Sequence, residues 1–246
     1  MLEEIAPDRR HTGAQDPVTQ QVIANALGTV ADEMATTIFR TAHSTVVRDS
    51  MDFSASLCSA RGEQIAQAVS VPFHLGSVPT AMSYLLAHYG DAFDDGDIYI
   101  MNDPFDGGMH TPDIFIFKPI FFDETVIGFA TTTAHHADLG GRLPGTAACD
   151  NTEIFQEGLR LPWLKLYSRG QPVEDVFKII RANVRIPRMT IGDISAQVAA
   201  CSIGERGLRQ LAERYGIAAL AEYVEALLDH SERLVRQEIN RWPNAS

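Results

Sequence analysis

Two apolar runs, residues 114–120 and 125–133, are separated by a short turn at Phe122-Asp123-Glu124, and each is bounded at its outer end by histidine and aspartate. The clusters are His110-Thr111-Pro112-Asp113 before the first run and His135-His136-Ala137-Asp138 after the second. Runs of this length, rich in Ile, Phe, Val and Thr, read as strands. His135 lies 22 residues beyond Asp113, about the length of one hairpin with its turn. If the two strands pair, the hairpin returns His135 to the level of Asp113, and the fold must accommodate that convergence.

The rest of the chain is organised around this hairpin. Residues 1–15 are polar and patternless and read as a flexible arm. At Asp16-Pro17 a helix starts, because aspartate suits an N-cap and proline the first helical turn. Val18, Val22, Leu27, Val30, Met34 and Ile38 step by three to five residues, which predicts a helix to about Thr45 with that face in the core. Residues 53–58 and 64–66 read as short strands, with Asp52 at the mouth of the first. A second helix is expected over 78–89, closed by Gly90 as a left-handed C-cap.

Residues 97–101 read as a buried strand opening into a loop, 102–113, so rich in Gly, Pro, Asn and Asp that its backbone should be irregular and well placed for chemistry. A further strand is expected within 159–167. From Val173 the pattern is helical, interrupted at Ile186-Pro187, with a last helix over 217–240. The expected fold class is α+β, with a mostly antiparallel central sheet, flanking helices and a helical C-terminal lobe. The expected division is an arm (1–15), an α+β domain carrying the His/Asp clusters (16–172) and a helical lobe (173–246).

Composition narrows the function. A 246-residue chain that is 45% hydrophobic can bury a sizeable core. A formal net charge of -12 argues against a nucleic-acid surface and favours small-molecule chemistry or protein partners. Cys58, Cys149 and Cys201 are odd in number and form no CxxC pair, so a reducing, cytoplasmic compartment is expected. No run of about 18 apolar residues calls for a membrane span.

Imidazole and carboxylate are the usual protein ligands of Zn, Mn or Fe in sites that keep a position open for water. Pro112 restricts the backbone between His110 and Asp113, so their side chains have little entropy left to lose. Each residue alone also has a structural reading, since loop aspartates cap turns and histidines bridge backbone groups. Five of them in two glycine-rich loops point to a divalent transition metal.

Gly107-Gly108 and Gly140-Gly141 allow either close approach to a ligand or tight turns. His74 either faces the same pocket or is a satisfied, partly buried histidine. Glu157, in Gln156-Glu157-Gly158, is a general acid or base or a solvated carboxylate. Cys58 and Cys149 carry no mark of a nucleophile. No G-x-x-x-x-G-K-[ST] or G-x-G-x-x-G occurs, so any ATP would be bound by a partner and not by this chain.

At these loops the sequence resembles the hydantoinase B/oxoprolinase family, with its hydantoinase B subunits, 5-oxoprolinase halves, lactamases and related ketone carboxylase subunits. The resemblance rests on Asp52-Phe53-Ser54, Pro72-Phe73-His74-Leu75-Gly76-Ser77-Val78-Pro79, Asn102-Asp103-Pro104-Phe105-Asp106-Gly107-Gly108, His110-Thr111-Pro112-Asp113, His135-His136-Ala137-Asp138-Leu139-Gly140-Gly141 and Gln156-Glu157-Gly158-Leu159. It implies a metal held by Asp52, His110, Asp113 and His135, with His136 and Asp138 in the outer shell or facing substrate, where they would shuttle protons.

The resemblance further implies an A-type partner that activates a small cyclic-amide substrate with ATP, in a hetero-oligomer whose B subunit completes hydrolysis. The ketone carboxylase reading and a non-catalytic scaffold subunit are the alternatives. Met109 stands where many relatives have Thr, and Met51 where many have Arg. Relatives usually continue well past Ser246, so a B subunit lacking its C-terminal half is expected. Apolar surface at Val176, Ile179, Ile180, Val184 and Ile186 should then be uncovered and promote association.

Overall fold

A computed structural model describes residues 16–70, 74, 76–146 and 148–242, so the arm expected over 1–15 lies outside the described residues. The Asp16 carboxylate accepts from the backbone N–H of Val18 (3.2 Å) and Thr19 (3.0 Å), and this N-cap starts α1 (Pro17–Thr41). The helix stops short of Thr45 because Ala42 turns extended and Ser44 caps a separate turn, α2 (Thr45–Arg48). Its buried face is Ile23, Leu27, Val30, Met34 and Ile38, while Val18 and Val22 are exposed. Ile23 takes the place that periodicity alone assigned to Val22.

Seven strands form one antiparallel sheet among the described residues: β1 (Phe53–Ser59), β2 (Gln64–Gln67), β3 (Ile98–Met101), β4 (Asp113–Phe122), β5 (Thr125–His135), β6 (Leu164–Ser168) and β7 (Gln171–Pro172). Their order is β2-β1-β5-β4-β3-β6-β7. The β4–β5 hairpin lies at its centre, in a register that runs from Phe122 opposite Thr125 to Asp113 directly opposite His135. The convergence expected from spacing is present. The strand expected within 159–167 forms only over Leu164–Ser168, since the preceding backbone is committed elsewhere. There the Leu159 N–H bonds the Leu139 carbonyl, and the Leu161 N–H bonds Asn102 Oδ1.

Alternation along the strands makes two apolar faces. Phe115, Phe117, Phe129, Tyr99 and Met101 pack beneath α3 (Ser77–Tyr89) with Val78, Ala81, Met82 and Leu85. The other face, with Leu57, Ile114, Ile116, Ala130 and Ala134, packs against α1 and α5 (Pro187–Tyr215). Each fully buried Phe or Ile contributes about 1.5–3 kcal/mol to folding. Gly204 of α5 permits close packing on α1, since a Cβ there would lie 2.7 Å from the Met34 sulfur. The α+β class is thus a sheet covered on both sides by helices.

The same core cluster includes residues of α4 (Glu174–Asn183), α5 and α6 (Ile217–Asn240) together with those of the sheet and α1. The apolar surface expected at 176–186 is largely used in this packing. Val176, Ile180 and Val184 are buried, and only Ile179 and Ile186 remain exposed. No helix of the described residues is long and apolar enough to cross a membrane.

Candidate metal centre

Asp113 is the first residue of β4 and His135 the last of β5, and both share the sheet face of Phe115 and Phe129. His110 reaches the same point from the loop before β4. Its Nε2 lies 2.8 Å from Asp113 Oδ1 and 3.1 Å from His135 Nδ1, and that nitrogen lies 3.2 Å from Asp113 Oδ1. Asp113 is buried, His135 partly exposed and the His110 side chain half exposed, so the cluster opens to solvent on the His110 side.

The donor chemistry suits a cation. Two imidazole nitrogens facing each other can share only one proton, and both also face one carboxylate oxygen, so lone pairs converge on one point. Such a set of two imidazoles and a carboxylate is of the kind that holds Zn, Mn or Fe. Burial alone would raise the Asp113 carboxyl, but hydrogen bonds from His110, His135 and His74 outweigh it and hold the group far below the usual carboxylate range. The hydrogen bond to Asp113 raises His110 above its ordinary value.

Asp52, the fourth residue implied as a ligand, stands beside this trio. Its Oδ1 is 3.9 Å from His74 Nε2, which is in turn 3.5 Å from Asp113 Oδ2. His74 is fully buried and faces the cluster, which unites the two readings its sequence context allowed. Asn102 is a second residue whose role the sequence did not reveal. Buried at the end of β3, it donates from Nδ2 to the Thr111 and Leu159 carbonyls and accepts from the Leu161 N–H, which ties the loop that carries His110 to the segment at 159–161. The Thr111 hydroxyl donates to Glu157 Oε2 at 2.8 Å, which places Glu157 beside His110.

His136 and Asp138 lie elsewhere. One residue past His135, His136 faces the opposite side of the sheet, where its Nε2 meets Gln197 Oε1 of α5 at 3.0 Å and burial lowers its pKa. Asp138 is buried against Arg185, accepting from its guanidinium and its backbone N–H at 2.7 Å each. Burial opposes ionisation of Asp138, but these bonds prevail and its pKa is lowered. Neither side chain touches the trio, so the substrate-facing role implied for them meets a geometry that engages both with α5 and its leading loop.

The glycine pairs resolve toward packing. Gly141 (φ +80°) faces the backbone at Gln156 and Glu157, where a Cβ would come within 2.7 Å of the Gln156 carbonyl oxygen. Cys58 and Cys201 are buried with thiols pushed up to about 12, which removes them as nucleophiles, while Cys149 is exposed.

Comparison with known proteins identifies the family to which this fold belongs. The Hydantoinase B/oxoprolinase family profile matches residues 16–246. The structure of the ATP-dependent caprolactamase from Pseudomonas jessenii superposes with a TM-score of 0.90 at 35% identity, over 95% of this chain and 40% of that one. An acetone carboxylase in its nucleotide-free structure shares the fold, with a TM-score of 0.83 at 22% identity over 88% of this chain and 29% of that one. A 5-oxoprolinase of Dictyostelium discoideum is 29% identical over 90% of this chain and 18% of its own length. The chain spans 39% of the length of the caprolactamase beta subunit, to which it is 35% identical over 229 residues. The chain belongs to the hydantoinase B/oxoprolinase family.

Proposed function

We propose that this chain supplies the metal centre of an ATP-dependent hydrolase of cyclic amides, as a B-type subunit that completes the reaction on substrate activated by an A-type partner. The observation that carries this reading is the convergence of His110 Nε2, Asp113 Oδ1 and His135 Nδ1 within 3.2 Å of one another. The 35% identity to caprolactamase, against 22% to acetone carboxylase, favours hydrolysis over carboxylation. His110, Asp113, His135 and, through its tie to His74, Asp52 are the ligands in this reading.

A divalent Zn, Mn or Fe ion, if held by these residues, would supply Lewis acidity at the site. Asp113, kept ionised by its histidines, contributes the negative charge that such an ion requires. The half-exposed His110 edge is where a small cyclic amide would enter. An amide carbon is a poor electrophile because its nitrogen donates into the carbonyl, so phosphorylation of the amide oxygen by the ATP-binding partner prepares that carbon for attack. Glu157, fixed by Thr111, is the carboxylate available at this edge to exchange protons with solvent.

The test has two parts. Elemental analysis after metal-replete purification should find about one divalent transition ion per chain, and finding none sinks the proposal. The isolated chain should hydrolyse no ATP, whereas the complex with an A-type partner should release ADP in step with opening of a hydantoin, 5-oxoproline or lactam. ADP release coupled instead to carboxylation of a ketone would transfer the site to the other reaction class.

A further inference from the structure

We infer that Asn102 and Glu157 are positioning residues that act through Thr111, fixing the turn from which His110 meets Asp113; this rests on the metal-centre reading above. Of the three converging residues, Asp113 and His135 stand opposite each other on paired strands, and the ladder between β4 and β5 holds them. His110 has no such ladder, and its side chain is half exposed, so packing does not fix it either. Its place has to come from the backbone of the turn that follows.

That turn is closed by the Asp113 N–H on the His110 carbonyl at 3.0 Å, with Thr111 and Pro112 at its centre. Proline suits the third position of neither common turn. In type I it disfavours the helical angles of the residue before it, and type II needs a positive φ that its ring forbids. Local preference therefore does not hold this turn, and contacts from outside do.

Thr111 is buried and gripped on two sides. Its carbonyl accepts from Asn102 Nδ2 at 2.5 Å, and its hydroxyl donates to Glu157 Oε2 at 2.8 Å. Asn102 is itself fully committed, since Nδ2 also donates to the Leu159 carbonyl (2.9 Å) and Oδ1 accepts from the Leu161 N–H (2.6 Å). Two carbonyls on one side and an N–H on the other leave the amide one orientation. Glu157 lies in the same segment as Leu159 and Leu161, so both grips refer Thr111 to one piece of backbone. A ligand supported in this way keeps its geometry without packing around its own ring.

The test is the Zn(II) affinity of the full chain by chelator competition, with the visible spectrum of the Co(II)-loaded chain as a readout of ligand geometry. Asn102→Asp keeps the size and the acceptor but loses both donors, and should weaken Zn(II) binding by about 10-fold or more and change the Co(II) spectrum. Thr111→Val, which releases Glu157 alone, should cost about 3–10-fold, whereas Thr111→Ser, which keeps the hydroxyl, should stay within about 2-fold of wild type. A folded Asn102→Asp chain with a lowered Tm but wild-type affinity and spectrum would make Asn102 a mere clamp of the fold and overturn the inference.

Equal affinities for the two Thr111 variants overturn it as well, and they decide alone if Asn102→Asp does not fold. A wild-type chain that binds neither ion removes the metal reading instead. The His110 ring resonances of the metal-free chain then judge the turn. A shift in Thr111→Val that Thr111→Ser lacks upholds the inference, and no difference between the two overturns it.

Discussion

The two His/Asp segments that flank the central hairpin, His110 to Asp113 and His135 to Asp138, use similar residues for different ends. In the first, both His110 and Asp113 reach one point, because a proline-containing turn folds the chain back on itself before β4 begins. In the second, only His135 does. The strand geometry sends His136 through to the opposite face, and the loop beyond it gives Asp138 to Arg185. Composition alone makes the segments near equivalents, but backbone state separates them: a turn can gather neighbouring side chains, whereas a strand must alternate them.

The sharpest way to break this comparison is substitution of Asp113. Asp113→Ala removes the oxygen shared by both imidazoles, and Zn(II) affinity should fall beyond the about 10–100-fold typical of outer partners, with far-UV circular dichroism unchanged. His110→Ala should do the same somewhat less severely, its side chain being half exposed. Loss of the folded signal in both variants would mean that the cluster holds the fold together.

Asp138→Ala should behave in the opposite way. It leaves the Arg185 N–H without its carboxylate acceptor, at a cost of about 2–3 kcal/mol, or a Tm lower by roughly 4–10 °C. The guanidinium is partly exposed and can rehydrate, which keeps the loss below that of a fully buried pair. Zn(II) affinity should change by less than about 3-fold, since no ligand is held by this pair. A large loss of affinity at unchanged Tm would bring Asp138 back to the metal.

A smaller effect is expected at His136. His136→Leu breaks the contact with Gln197, whose Nε2 donates to the Ile114 carbonyl, and should cost about 1–2 kcal/mol with little change in metal binding. Urea unfolding measures the first and chelator competition the second. A stronger effect on affinity than on stability would show that the sheet transmits His136 to the ligands.

The smallest expected effect is a pH dependence. Because the folded pKa of Asp138 is lowered, the stability it contributes is fully present above the ordinary carboxylate pKa and is lost as pH falls through the folded value. The stability gap between wild type and Asp138→Asn should therefore narrow as solutions become more acidic than about pH 4. A gap that stays constant down to the folded pKa would show that Asp138 acts through shape and not charge.

Much of this was legible in the chain. The Asp16-Pro17 start of α1, the hairpin, and the convergence of Asp113 and His135 follow from capping chemistry and strand spacing, which are local properties. Val18 and Val22 were misplaced because a long helix with apolar residues on several sides does not reveal which stripe will meet the sheet. Asn102 and Arg185 were missed for a related reason. Asn102 bonds Leu159 and Leu161, 57 and 59 residues away, and Arg185 bonds residues 44 to 47 away, and no local pattern marks such long-range hydrogen bonds.

The sequence by itself determined the α+β elements, the two loops rich in ligand-type residues and the family resemblance, because each depends on residue type and short spacing. Tertiary structure decided which loop residues meet. It set His74 beneath Asp113, turned His136 toward α5 and gave Asp138 to Arg185. These outcomes depend on how strands pair and which face each helix covers, and packing of the whole chain settles that.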